Sequence, residues 1–330
     1  MKNVLRTAIL GCGKIAGKHA KVLASLEEVS LVGYCDQDIE KAISFKESFG
    51  PGEVFTDHEQ MFNTLDLDLV FICLPPYAHT NEVELACKHG VNFLIEKPIA
   101  LSMELATQMA EHVHASGVKS QVGFMYRHGE AVKWLKESMD KTSNPGVGFM
   151  SARYFCNSLH RAWWRDKTKS GGQLVEQIIH IIDMARYFMG EPRQVYSVQR
   201  NLFHTEVEDY TVEDTSATTI CFDSGGVALI AATNGAIPNR WDYDWRVVLP
   251  TITADFTDAN NAVIHDTSHS WPNTITITSE RDLFLAQAMD LVRAIHEDRP
   301  TAVPIDEGVR SLHLALTALH SAQQGIPVDI

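Results

Sequence analysis

The sequence predicts an α/β fold whose first part holds a parallel sheet and whose later part is built on antiparallel strands. Up to Phe124, short apolar runs alternate with helical stretches of about ten residues, the pattern of right-handed βαβ units. Beyond Gly190-Glu191-Pro192, the runs Gln194 to Asn201, Thr215 to Phe222, Val227 to Thr233, Trp245 to Leu249 and Thr274 to Thr278 alternate polar and apolar residues. Broken by turns such as Asp223-Ser224-Gly225-Gly226, they read as antiparallel strands with one face toward a core. At 330 residues the chain has room for about two domains.

Composition narrows the function. A formal charge of -14 argues against a nucleic-acid partner, because phosphate binding runs on clustered Lys and Arg. The six cysteines (Cys12, Cys35, Cys73, Cys87, Cys156, Cys221) form no C-x-x-C pair. They read as buried reduced thiols, which points to the cytoplasm rather than to a disulfide framework. The run after Met1-Lys2-Asn3 is too short for a signal segment, and no apolar run approaches the ~18 residues of a membrane span.

The first strand, Val4 to Leu10, leads into Gly11-Cys12-Gly13-Lys14-Ile15-Ala16 and a helix from Ile15 to Leu26. Gly11 permits the tight turn, Gly13 lets backbone approach a pyrophosphate, and the small Ala16 lets helix and strand pack closely. A second strand, Val29 to Cys35, ends on Asp36, twenty residues beyond Ala16. A carboxylate there accepts hydrogen bonds from adenosine ribose hydroxyls and repels a 2′-phosphate, which favours NAD over NADP. The plainer role for Asp36 is a turn or helix cap, although Asp38 is placed to cap the helix Asp38 to Phe49. A short strand near Val54 and a strand Leu67 to Leu74 follow. Leu74-Pro75-Pro76-Tyr77-Ala78-His79 is then a stiff loop at a strand's carboxyl end, bordering the coenzyme. His79 opens a helix that Gly90 closes, and a polar helix-start residue is its plainer reading.

Val91 to Ile95 is an apolar run with the character of a buried parallel strand, and it stops on Glu96-Lys97-Pro98. Lys97 therefore stands at a strand's carboxyl end, where ligands bind in open α/β sheets. The glycine turn with His19, the Leu74 to His79 loop and Glu96-Lys97-Pro98 together resemble the Gfo/Idh/MocA family of NAD(P)-dependent oxidoreductases. The resemblance implies an α/β Rossmann domain (parallel sheet) followed by an α+β domain with a large open, mostly antiparallel sheet. It also implies that Lys97 is the catalytic lysine. The coenzyme-binding set expected from these features is Gly11, Cys12, Gly13, Lys14, Ile15, Asp36, Leu74, Pro75, His79, Glu96 and Lys97. A helix Ser102 to Ser116 and a strand Val118 to Phe124 resemble the end of the family's first domain. The boundary falls there, giving domains of 1–124 and 125–330. Tyr126 and Arg127, just past it, are expected to face substrate or the nicotinamide end, with a solvated loop arginine as the plain alternative.

After a turn at Asn144-Pro145-Gly146 and a strand Val147 to Asn157 comes the second chemical segment, Trp163 to Asp183. Over a helix Gln173 to Met189, the spacing of four and three puts Glu176, His180 and Asp183 on one face. The segment resembles the family's two glycines and helix bearing an acidic residue and, four positions on, a histidine. That implies His180 as general acid/base, with Glu176 in place of a more usual aspartate. One extra methylene moves a carboxylate by more than ~1 Å, enough to affect catalytic positioning. A metal site from Glu176, His180 and Asp183 lacks a further nearby ligand and is not expected. Asp183 is read as holding the helix or orienting His180. Trp163 and Trp164 read as a stacking wall for a sugar ring or as packing, and Trp164 joins Tyr126, Arg127, Glu176 and His180 as substrate candidates. Amphipathic helices Arg281 to His296 and Asp306 to Gln323 end the chain.

The expected reaction is hydride transfer between NAD(H) and a secondary alcohol or ketone of a sugar, inositol or related polyol, in a homodimer or homotetramer formed through the open sheet. Two alternatives stand beside it: a redox-neutral NAD-dependent sugar-processing enzyme and a non-enzymatic NAD-binding regulator. The Lys97 and His180 pair argues against the regulator.

Overall fold

The computed structural model describes residues 4–141, 146–271 and 273–330; the expected turn at Asn144-Pro145 lies outside them. The chain divides into two compact units, Met1–Met125 with Asp282–Val309, and Tyr126–Arg281 with Arg310–Ile330.

In the first unit the elements are β1 (Leu5–Leu10), α1 (Lys14–Leu23), β2 (Val29–Cys35), α2 (Ile39–Phe49), β3 (Glu53–Phe55) and α3 (His58–Thr64). They continue through β4 (Leu69–Ile72), α4 (Glu82–Lys88), β5 (Asn92–Ile95), α5 (Met103–Ser116) and β6 (Ser120–Val122). The strands form one sheet in the order β3-β2-β1-β4-β5-β6, with every pair parallel. Central strands covered on both faces must be apolar throughout, and β4, Leu-Val-Phe-Ile, is fully buried. Asp38 caps α2 as its side chain accepts from Glu40 N, and Ser102 caps α5 in the same way.

The unit recovers a segment from late in the chain. A helix over Leu283–His296 buries Ala288, Leu291 and Val292 in the same cluster as Ile9, Ala16, Ala20 and Leu23. Residues 301–305 then run along β6, where Val122 N donates to Val303 O, Thr301 Oγ1 to Ser120 O, and Ile305 N to Ser120 Oγ. An open sheet edge needs covering, and this segment covers it. The sequence division at residue 124 assigns these residues to the second domain; their packing places them with the first.

The second unit holds α6 (Glu130–Asp140), β7 (Phe149–Cys156), the short helices α7 (Ala162–Arg165) and α8 (Lys167–Ser170), and α9 (Ile179–Met189). Then come β8 (Pro192–Arg200), β9 (Thr215–Phe222), β10 (Val227–Thr233), β11 (Trp241–Val248), β12 (Ile252–Phe256), β13 (Ala262–Asp266), β14 (Asn273–Ile277) and, near the end, β15 (Val328–Asp329). These strands form a nine-stranded open sheet, β14-β13-β12-β11-β7-β10-β9-β8-β15. Only β7 and β10 pair parallel among its described neighbours. On β7 the even residues Met150, Ala152 and Cys156 are buried while Arg153 is exposed, so one face is core and the other is open.

Each unit contains a buried ionic pair. In the first, His79 Nδ1 lies 2.6 Å from Glu82 Oε1, and Thr80 N donates to Glu82 Oε2. This pairing and a 3₁₀ turn at Pro76–Ala78 delay α4 to Glu82, three residues past the expected start. Burial alone would raise the Glu82 pKa, but the hydrogen bond and charge of His79 with the Thr80 amide prevail and hold it below 4.5. In the second unit, Arg127 Nε and Nη2 donate to the two oxygens of Asp183 at 2.9 and 2.7 Å, and Ser311 Oγ donates to Asp183 Oδ1.

A carboxylate with a depressed folded pKa stabilises above its unfolded value and loses that contribution as pH falls through the folded one. Glu82→Gln should therefore melt below the native chain at pH 7, and thermal scans should show the gap narrowing below pH 4.5. Removing Asp183 takes two charge-assisted hydrogen bonds from a buried guanidinium. Asp183→Ala should cost about 3 kcal/mol, read as a lowered urea midpoint.

Candidate functional site

The coenzyme half is built where β1 ends. Gly11 has φ +87°, and a Cβ there would sit 2.8 Å from Cys73 O, so only glycine fits on both counts. Gly13 has extended backbone and caps α1 without a side chain; a Cβ there would meet nothing within 4 Å. Open space beside the amide-rich end of a ten-residue helix suits a pyrophosphate, so the turn fits a dinucleotide. Ala16 is fully buried, Lys14 is exposed and Ile15 is half-buried.

Asp36 is tied to this turn. Its Oδ2 accepts from Cys12 N at 2.8 Å and its Oδ1 from Asp38 N at 3.0 Å. Capping of α2 falls to Asp38, and each Asp36 oxygen keeps a second lone pair for a ribose hydroxyl. The thiols of Cys12 and Cys35 are pushed up to about 12, by burial first and by Asp36 second, and Cys73 is raised well above its usual value by burial. They are packing groups, not nucleophiles.

Leu74 and Pro75 are half-buried beyond β4, and Leu74 Cδ2 would lie 3.1 Å from a Cβ on Gly11, which sets it beside the turn. His79 is buried and engaged with Glu82, so the loop positions it as a brace. Glu96 is also buried. Its Oε1 lies 2.7 Å from His19 Nε2 on α1, and its Oε2 accepts from Lys97 N at 3.2 Å. Gly123 makes room for it, because a Cβ there would lie 2.7 Å from Glu96 Oε2. Lys97 is half-buried at the carboxyl end of β5, before a cis bond to Pro98.

The residues expected to meet substrate, Tyr126, Arg127, Trp164, Glu176 and His180, belong to the second unit. Here the expected helix Gln173 to Met189 opens as a π turn over Gln173–Gln177, with Ile178 N bonded to Gln173 O, and turns α-helical at Ile179. Gly171 and Gly172, at φ +78° and +95°, bring the chain into it. Such π turns favour functional sites because they re-aim side chains that an α-helix would stack. Glu176 Oε2 accepts from Trp164 Nε1 at 2.6 Å. His180 packs on the Tyr126 ring at 5.0 Å, and Asp183 goes to Arg127. The three residues expected on one face thus reach three different partners, and Arg127, expected to face substrate, is 6% exposed with two nitrogens committed to Asp183. Asp183, expected to hold the helix or orient His180, is bonded to Arg127, whose chain neighbour Tyr126 packs on His180.

Several neighbours escape sequence reading. Tyr243 stacks on Tyr126 at 6.1 Å and on Tyr154 at 6.0 Å, and Trp245 lies 5.9 Å from Tyr126. Burial raises all three phenols, so they stay neutral and able to donate and accept hydrogen bonds. His160 packs on Trp164 at 4.2 Å. Asn234 is fully buried among Gln173, Cys156 and Tyr210. Period-two alternation would have found Tyr243 had the strand been started at Trp241 rather than Trp245. Among the described residues, no group of three His, Cys, Asp or Glu is placed to hold a metal ion.

A family model described as an oxidoreductase family with an NAD-binding Rossmann fold matches residues 5–124, and its C-terminal alpha/beta domain matches residues 149–330. Myo-inositol 2-dehydrogenase of Thermotoga maritima is 24% identical over 97% of both chains. D-glucoside 3-dehydrogenase of Escherichia coli is 27% identical over 68% of each. A levoglucosan dehydrogenase structure in complex with NADH and L-sorbose superposes with a TM-score of 0.91 at 19% identity, covering 100% of this chain and 99% of that one. With both domains matched, and with a turn whose geometry suits the coenzyme that the first is named for, the chain belongs to the Gfo/Idh/MocA oxidoreductase family.

Proposed function

We propose that this NAD-dependent oxidoreductase acts on a secondary alcohol or ketone of a sugar, inositol or related polyol, with Lys97 and His180 as the catalytic pair. NAD, when bound, supplies the hydride acceptor for the alcohol and, reduced, the donor for the ketone. His180 takes the hydroxyl proton on its imidazole, and the Lys97 ammonium stabilises the developing oxyanion. Glu176, held by Trp164, accepts a hydrogen bond from a second hydroxyl. The neutral phenols of Tyr126, Tyr154 and Tyr243 offer stacking surface and hydroxyl partners that suit a hydroxylated ring.

The observation that carries the reading is the bracing of Lys97. Its backbone amide is fixed by a buried carboxylate at the carboxyl end of a parallel strand, where ligands bind in such sheets. The sugar and inositol dehydrogenases among the relatives support the substrate class. One relative, 28% identical over 60% of this chain, is 2,7-anhydro-N-acetylneuraminate hydratase of Mediterraneibacter gnavus, and it favours the redox-neutral reading as the second choice. For assembly we propose a homodimer or homotetramer through the open sheet face, where Tyr196, Val198 and Leu229 are exposed, in the cytoplasm.

Reduced-cofactor absorbance, followed with NAD and NADP against polyols, inositols and aldoses, tests the function. Oxidation of a member of the panel with NAD is expected. Silence with coenzyme retained through purification would turn the reading to redox-neutral chemistry, and silence with reversible NAD binding to the regulator. On an active substrate, Lys97→Ala should lower kcat by about 10²–10³-fold. NAD affinity, titrated separately, should persist. Trp164→Phe keeps ring packing on His160 and Tyr210 but removes the donor to Glu176, so kcat/KM should fall about tenfold. Unchanged kinetics would show that the Trp164 hydrogen bond does not position Glu176 for the reaction.

A further inference from the structure

Among the described residues other than glycine, four have positive φ: His160, Asp209, Asn239 and Asp298. The last three bear the short polar side chains that suit such a backbone, and His160, at φ +54°, is the one ring among them. A backbone of this kind persists where its surroundings impose it, and it clusters at functional sites. Here His160 N donates to Ser158 Oγ at 3.1 Å, which fixes the bend. The imidazole lies on the Trp164 indole, with centroids 4.2 Å apart and planes tilted by 42°. Its Nε2 is 3.5 Å from the side-chain nitrogen of Gln177. The ring therefore meets both the indole that donates to Glu176 and the residue next to Glu176 in the chain.

We propose that His160 is a positioning residue for Glu176. Its ring holds the Trp164 indole in the orientation from which Nε1–H reaches the carboxylate, and the positive φ is what brings the ring there. The inference rests on the reading of Glu176 as a residue that meets substrate. Trp164 needs such support because its own helix is one turn long: α7 has four residues, and the amides of Trp164 and Arg165 share the single carbonyl of Arg161. So short a helix holds no side chain steady by itself. Tyr210 meets the indole at 6.3 Å and 60°, an edge contact, whereas His160 stands 2.1 Å nearer by centroid. A hydrogen bond weakens steeply as its angle departs from linear, so a swing of the indole loses Glu176 before it loses the packing. The strained backbone thus serves the aim of one N–H rather than the stability of the loop.

The test separates the ring from the backbone. His160→Gly removes the ring and relieves the φ, while His160→Phe keeps the ring and the strain. With nitrogen-15-labelled tryptophan, the indole signal absent from Trp164→Phe identifies Trp164. Hydrogen exchange at that indole should be slow in the native chain and in His160→Phe, and about fivefold faster in His160→Gly. On the panel member that the native chain oxidises, kcat/KM should fall about fivefold in His160→Gly and stay within about twofold in His160→Phe. Melting temperatures should run in the opposite order, with His160→Phe below His160→Gly, a divergence that a purely structural role would not give. In the Trp164→Phe background His160→Gly should change kcat/KM by less than about twofold, because the N–H it aims is gone. An equal loss in both backgrounds, a phenylalanine variant as impaired as the glycine one, or activity and melting temperature falling in the same order overturns the proposal. Should His160→Gly fail to fold, His160→Asn, which lacks the ring and tolerates the same backbone, takes its place. If Trp164→Phe alone leaves kinetics unchanged while His160→Gly still frees the indole, the reading of Glu176 fails and the contact is structural; an unmoved indole signal sinks the role of His160 alone.

Discussion

The Glu96 carboxylate is the contact on which the coenzyme half depends. It lies between the helix that faces the pyrophosphate position and the strand that presents Lys97, and it touches both, through His19 and through the Lys97 amide. His19 is fully enclosed, with the rings of Phe71 and Phe284 at 5.2 and 5.1 Å. In so apolar a surround a satisfied hydrogen bond is strong and an unsatisfied one costly. The space at Gly123 completes the arrangement, since any side chain there would displace the carboxylate. A change in the seat of α1 is therefore felt at Lys97, although no coenzyme atom need touch Glu96.

In the second unit a carboxylate is again the pivot, but its partner lies close in the chain. Trp164 and Glu176 are twelve residues apart, and between them Gly171 and Gly172 reverse the chain into the π turn. The additional methylene of glutamate is matched by an indole N–H at 2.6 Å, so the longer side chain has a built partner. A side chain at Gly172 would be strained by its φ of +95°, and its Cβ, 2.9 Å from Glu213 Oε2, would make that carboxylate move. Trp164 sits in its own small cluster with Tyr210 and Val212, which gives the donor a rigid mount. The glutamate is thus part of a consistent local design.

Much of the first unit was legible because each strand and helix announces itself locally. The strand Val29 to Cys35 and the Asp38 cap stand where the residues say, since period and capping are short-range effects. Helices α3 and α6 and strands β12 and β13 were not seen: α3 is seven residues, and the two strands are five each, too short for periodicity to separate them from loop. Of the candidate site, the glycine turn, Asp36 and the Glu96-Lys97-Pro98 strand end were readable from spacing. The tyrosine group was not, because Tyr126, Tyr154 and Tyr243 meet only once three separate segments are folded together.

That difference follows the separation of partners along the chain. Asp38 and its amide are two residues apart and could be read; Glu96 and His19 are 77 apart and Asp183 and Arg127 56 apart, and those pairings were not read. Glu96 and His79, expected as coenzyme contacts, and Arg127, expected to meet substrate, are each drawn into a buried pair. A buried charge must find a partner, and that requirement is settled by tertiary packing. At Lys97 the Glu96 brace acts on the backbone amide, which fixes the position of the residue through an atom other than the ammonium. A backbone held in this way meets the requirement for fixed placement that the proposed stabilisation of an oxyanion at Lys97 would make.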